Sequence, residues 1–123
     1  MYKLLVMKQI LLLEELAQCI AGIFLLTLQP IHLPAWLWFI LFFSPDIAML
    51  GYLINTSIGA YCYNLFHHKA VAIVLACIGF YTHNEWLTLV GMLLFAHASF
   101  DRVFGYGLKY TDSFKNTHLG KLK

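Results

Sequence analysis

Charge is the scarcest ingredient of this sequence. Only 11% of its residues are charged, against roughly 25% in soluble globular domains, and a fold this small needs charge to cover its surface. No Asp, Glu, Lys or Arg occurs in the thirty residues between Glu15 and Asp46, or in the 22 between Asp46 and Lys69. These gaps exclude a cytosolic globular enzyme and a disordered segment. Cysteine is scarce as well. Cys19, Cys62 and Cys77 are an odd count inside apolar segments, which excludes a secreted disulfide scaffold; buried thiols behave as small hydrophobes, and no redox or metal role falls to them. There is no basic run interleaved with aromatic residues, so no nucleic acid is expected as a partner. No small-residue cleavage site follows the first apolar run, which Glu14 and Glu15 interrupt, so that run reads as a retained helix rather than a signal peptide. No internal repeat or low-complexity stretch is visible.

What is present is hydrophobic: 61% of the 123 residues, with a mean hydropathy of +0.74. The composition is that of a multi-pass membrane protein. About 20 apolar residues cross roughly 30 Å of hydrocarbon as a helix, and the chain offers four such segments. The expected architecture is all-α, an integral membrane four-helix bundle forming one domain, with helices over about 8–28, 34–54, 57–82 and 86–104 and a short polar cytoplasmic tail over 105–123. Pro34 suits a first helical turn, Trp36 and Trp38 an interface, and Pro45 a kink. Lys3 and Lys8 precede the first helix; Arg102, Lys109, Lys115, Lys121 and Lys123 lie at or beyond the end of the fourth. The loops at 29–33 and 82–85 hold no Lys or Arg. Basic residues stay cytoplasmic, so both termini are expected inside. The Asn55-Thr56-Ser57 sequon then faces the cytoplasm and matches by chance.

Ionisable residues inside a membrane are costly and ask for a reason. Glu15, Gln18, Cys19 and Gly22 fall on one stripe of the first helix. Asp46 lies on the second. Gly59, Tyr63 and His67 stack on the third with Asn64 beside them, and His97 and Asp101 share a face of the fourth. At 1.5 Å per residue, Asp46 and His97 lie roughly 16–18 Å below the outer helix ends and His67 about 15 Å above the inner one. Two carboxylates and two imidazoles therefore converge at one depth. Such groups are ligands for Zn, Mn or Fe, and helical bundles build metal sites from them. Asp46, His67, His97 and Asp101 are the expected metal ligands, with Asn64, Tyr63 and His118 as their supports. The plainer alternative is a buried ion-pair and hydrogen-bond network that fixes helix packing. On a continuous third helix, His68 and Lys69 point about 100° and 200° away from His67. The tail Gly105-Tyr106-Gly107-Leu108-Lys109-Tyr110 either anchors at the membrane boundary or folds under the bundle as a plug with His118 closing the site.

The chain resembles the small bacterial membrane proteins called domain of unknown function 4260. The resemblance covers nearly the whole length and rests on Leu13-Glu14-Glu15-Leu16, Ser44-Pro45-Asp46, Gly51-Tyr52, Gly59, Tyr63-Asn64 and His67. Its most specific part is His97, Phe100-Asp101-Arg102, the Gly105–Tyr110 run, Phe114 and Thr117-His118-Leu119-Gly120. It implies that Glu15, Asp46, Asn64, His67, His97, Asp101, Arg102 and His118 are functional positions, and that the protein resides in a bacterial cytoplasmic (inner) membrane. His68 and Lys69 depart from the pattern, as does Asn55-Thr56, where the family often has Gly-Pro. Three functions stay open. One is a metal-dependent membrane hydrolase acting on a lipid or other amphipathic substrate, with Glu15 as general base and Arg102 holding a phosphate or carboxylate; an oxidase with a diiron or dimanganese centre is its variant. A second is a small proton-coupled transporter or channel, working as a homo-oligomer. The third is a structural membrane subunit.

Overall fold

A computed structural model describes residues 1–123, and 72% of them are helical. The first helix, α1, runs Tyr2–Thr27, a continuous apolar rod of about 39 Å. Helix α2 (Ala35–Phe43) starts directly after Pro34. It tightens at Ser44-Pro45 into a 3-10 stretch, Ser44–Leu53, because proline removes a backbone donor and crowds the preceding turn. Ten residues is long for that geometry, which packs its hydrogen bonds poorly and marks strain or a hinge. Asp46 lies in its first turn. Helix α3 (Thr56–His67) is capped by Asn55, whose Oδ1 accepts the Ile58 amide at 2.8 Å. Helices α4 (Lys69–Tyr81) and α5 (Glu85–Val103) follow, and Asn84 caps α5 in the same way.

Two segments, Tyr2–Thr27 and Ala35–Leu53, are long and apolar enough to cross a membrane on their own. The expected third helix over 57–82 is not continuous. It breaks at His68, whose backbone is extended (φ −90°, ψ 116°), and the pair α3 and α4 bends by 47°. That pair makes at most a third span, so the structure contains two or three candidate spans and the four-helix bundle is not established by it. Nor does the expected fourth span meet the same standard of apolarity. The reason is its position. Helix α5 is the central element, packed chiefly on α4 and α1, and ten of its residues from Thr88 to Asp101 are buried. A helix wrapped by its neighbours can carry His97 and Asp101 without presenting them to lipid.

Small residues allow that wrapping. A Cβ on Gly91 would overlap the Ala76 nitrogen and the Ala72 carbonyl oxygen of α4, and one on Gly22 would come within 2.9 Å of the Ala96 methyl. Helices in apolar surroundings associate through such close backbone approach. Only 24 residues are buried, while leucines, isoleucines and phenylalanines cover the outer faces, an exterior compatible with a membrane.

The expected polar tail is not a loose end. Residues 105–123 fold back and end in a small antiparallel hairpin, β1 (Asn116–Thr117) with β2 (Gly120–Lys121). Thr117 also bridges to Lys109. Gly91→Ala should lower the stability of the protein in detergent by about 1–3 kcal/mol through overpacking at α4, read as a drop in the thermal unfolding midpoint. An unchanged midpoint would mean that α4 and α5 are not packed this closely.

Candidate metal centre

Four side chains from three elements converge on one point. Asp46 comes from the 3-10 stretch, His67 from the last turn of α3, and His97 and Asp101 from adjacent turns of α5. One ligand atom from each lies within 4.8 Å of all the others. His67 Nε2 is 3.3 Å from Asp46 Oδ1 and 3.2 Å from Asp101 Oδ2. His97 Nε2 is 3.1 Å from Asp46 Oδ1, 3.6 Å from Asp101 Oδ2 and 3.1 Å from His67 Nε2. A tetrahedral ion with bonds of about 2.0–2.2 Å spaces its ligand atoms about 3.3–3.6 Å apart. Two of these five separations fall in that range, at 3.3 and 3.6 Å, and the other three are 0.1–0.2 Å shorter.

The hydrogen bonds around His67 say what this convergence lacks. Its Nδ1 is 2.9 Å from the Tyr63 carbonyl oxygen, which only accepts, so Nδ1 carries the proton and donates. In the neutral ring the Nε2 lone pair then points at two carboxylates and a second imidazole. With both rings neutral and both carboxylates ionised, His97 Nε2 is the one atom of the four that can carry a proton. A backbone carbonyl that fixes the tautomer of a ligand histidine is the usual outer support of a metal site. Tyr63 supports the centre three times over: its carbonyl orients His67, its ring stacks on the imidazole at 3.8 Å between centroids, and its hydroxyl donates to Asp101 Oδ2 at 3.0 Å. The Nδ1 of His97 is buried and has no partner. Phe42 and Phe43 pack edge-on against the His97 ring. Both imidazoles are sealed, whereas the Asp46 side chain keeps 34% of its exposure. Asp46 and Asp101 open onto a cavity of about 400 Å³. The approach to the centre is from the carboxylate side.

The other expected site residues lie elsewhere. Glu15 is not among the four; its carboxylate pairs with Lys69, which also donates to Gln18 Oε1 at 2.6 Å. The break at His68 makes this pairing. It starts a new helix at Lys69 and turns that side chain toward α1, so the angular reading taken from a continuous helix does not hold. His68 itself caps α4, with Nδ1 accepting the Ala70 amide at 3.2 Å. Arg102 donates to the His67 carbonyl at 3.2 Å and so closes the C-terminal end of α3. Asn64 does not touch the four residues. Its amide clamps the tail backbone, accepting from Lys109 N at 2.7 Å and donating to Lys109 O at 2.8 Å. His118 holds the tail too: Nδ1 accepts the Leu108 amide at 2.8 Å. The tail is thus docked, as the plug reading expects, but His118 is spent on the tail rather than on the centre.

The spacing of the sequence did not single out Lys109. It is 4% exposed, with Nζ 3.9 Å from the Phe114 ring centroid and 4.8 Å from that of Tyr63. Burial holds its pKa below the ordinary lysine value, and the Asp101 carboxylate opposes that shift. The usable signal was its place in the Gly-Leu-Lys-Tyr run.

The family described as Domain of unknown function (DUF4260) matches residues 8–122. The chain belongs to that family. No curated protein and no solved structure matches it significantly. The match spans all four converging residues, Tyr63 and nearly all of the docked tail, so the centre lies within the matched segment.

The His118 ring titrates below its usual 6.5, first through burial and then through the nearby Arg102 charge. The unfolded tail therefore binds a proton more readily than the docked one. The contribution of His118 to docking is fully present above pH 6.5 and lost as the pH falls through the lower docked value. Proteolytic cleavage within 105–123 should accordingly accelerate on acidification, and His118→Gln should flatten that dependence. The Glu15–Lys69 pair gives a second expectation. Lys69→Met alone should cost about 1–3 kcal/mol by stranding a half-buried carboxylate, and adding Glu15→Gln should recover part of it in a thermal unfolding cycle.

Proposed function

We propose that this protein is a membrane-embedded metal-dependent hydrolase acting on a lipid or other amphipathic substrate. The observation that carries the reading is the cluster of two imidazoles and two carboxylates whose ligand atoms all lie within 4.8 Å of one another. A divalent ion, Zn, Mn or Fe, satisfies all four at once. Two imidazoles and two carboxylates meeting at one point suit one ion, which favours a mononuclear hydrolase over the dinuclear oxidase. A bound ion lowers the pKa of a coordinated water toward about 7 for zinc and polarises a substrate oxygen. The protein's part is to hold the ligands rigidly, to leave the carboxylate side open to the cavity, and to wall the imidazoles off behind Phe42 and Phe43. Glu15 acts in this scheme through Lys69, as a positioning pair at the helix break, and Arg102 fixes His67 through its carbonyl. In the membrane reading α5 is the fourth span and both termini are cytoplasmic. The competing structural reading makes His67 a protonated imidazolium between Asp46 and Asp101.

Purified protein should contain close to one equivalent of divalent metal per chain, lost in His67→Ala and in His97→Ala and kept in His68→Ala, whose imidazole caps a helix. Affinity should fall as the pH is lowered, because protons compete for the same lone pairs. Native protein without metal, or equal retention in all three variants, would favour the imidazolium network. Cysteine labelling from each side of sealed vesicles at Lys3 and Lys123 should place both ends together; opposite placement overturns the four-span arrangement.

A further inference from the structure

Lys109 is the only buried Lys or Arg of the chain, and its ammonium has no carboxylate within ion-pair distance. It takes part in none of the ion pairs, and its side chain makes no hydrogen bond. Two aromatic faces contact it. They supply cation–π attraction but no acceptor, leaving three N–H donors unused. A buried ammonium without an acceptor is costly, yet both backbone groups of Lys109 are clamped by Asn64, which fixes the Cα from which the side chain starts beside the cavity. The ammonium lines the same cavity of about 400 Å³ as Asp46 and Asp101.

Charge then identifies the missing occupant. A divalent ion at the centre cancels the two carboxylates. Lys109 remains as a positive charge on a weakly polar cavity, where Coulomb attraction is only partly screened. With an ion at the centre on one side and the Lys109 ammonium on the other, the cavity calls for an anion with more than one oxygen. Resting on the metal reading above, we propose that this cavity binds a phosphoryl oxyanion, with one oxygen at the metal and another at the Lys109 ammonium, and that the substrate carries a phosphate monoester. The space fits a head group, at the small end of ligand pockets. Phe43 lines this cavity and also two apolar cavities of about 580 and 880 Å³, so a chain attached to the phosphate continues onto apolar surface. That continuity favours a lipid phosphate over the free ion as the source.

The test measures metal content and phosphate binding on the same samples of full-length protein in detergent, using inorganic phosphate and micelles doped with phosphatidic acid or phosphatidylcholine. Metal-loaded wild type should bind phosphate and phosphatidic acid but not phosphatidylcholine. Lys109→Met should keep its metal and bind both about tenfold to a hundredfold more weakly, the loss expected for one hydrogen bond to a charged group; Lys109→Arg should bind much as wild type. Tighter binding of phosphatidic acid than of phosphate supports a lipid source, and equal binding supports the free ion; both support the site. In the wild type, either ligand should slow acylation of Lys109 by an amine-reactive reagent, a reading that needs no variant to fold. Metal present with phosphate binding unchanged in Lys109→Met, or with no protection of Lys109, overturns the anion site and leaves the metal centre standing. Wild type without metal overturns the metal centre itself and the anion site with it.

Discussion

The proton on His67 Nδ1 organises the middle of this molecule. Once it is given to the Tyr63 carbonyl, Nε2 has only a lone pair to offer, and the groups it faces are two carboxylates and a second imidazole. Nothing in an apolar helical protein tolerates such a meeting without a cation or an added proton. The surrounding elements are arranged so that it cannot be avoided. Tyr63 holds His67 by stacking and by its carbonyl, and holds Asp101 by its hydroxyl. Asp101 and His97 are fixed in register by the most enclosed helix of the fold.

Two breaks in helical geometry deliver the remaining ligands. The 3-10 stretch after Pro45 aims Asp46 inward, and the extended backbone at His68 ends α3 just after His67. Both interrupt the regular i to i+4 ladder of hydrogen bonds. The chain compensates locally. His68 and Asn55 cap helices with their side chains, and Arg102 donates to the carbonyl that the second break leaves open. Departures from regular structure of this kind collect at functional sites, and both of these adjoin a residue of the centre.

Charge is partitioned in the same deliberate way. Glu15 and Lys69 neutralise one another between α1 and α4, away from the four converging residues. Lys109 is treated in the opposite manner, held by its backbone with its ammonium against two aromatic rings and without an ion-pair partner. Its exposure to the cavity rather than to an ion-pair partner is what distinguishes the tail from a simple membrane anchor.

The one-dimensional pattern was enough for the convergence itself. Rise per residue placed Asp46, His67 and His97 at a common depth, and i, i+4 spacing placed Asp101 with His97, because helical geometry is local and apolar helices leave few places for a polar group to go. The same arithmetic failed wherever the helix did. Lys69 could not be assigned a partner by counting 100° steps through His68, since a single extended residue resets the phase of everything after it. Helix α5 could not be ranked by hydropathy alone, since its polarity is permitted by neighbours that enclose it. Only the folded chain decided that Glu15 answers Lys69, that Asn64 and His118 hold the tail, and that Lys109 lines one cavity with Asp46 and Asp101. Those contacts join residues far apart in sequence, and no local periodicity encodes a distance across the fold.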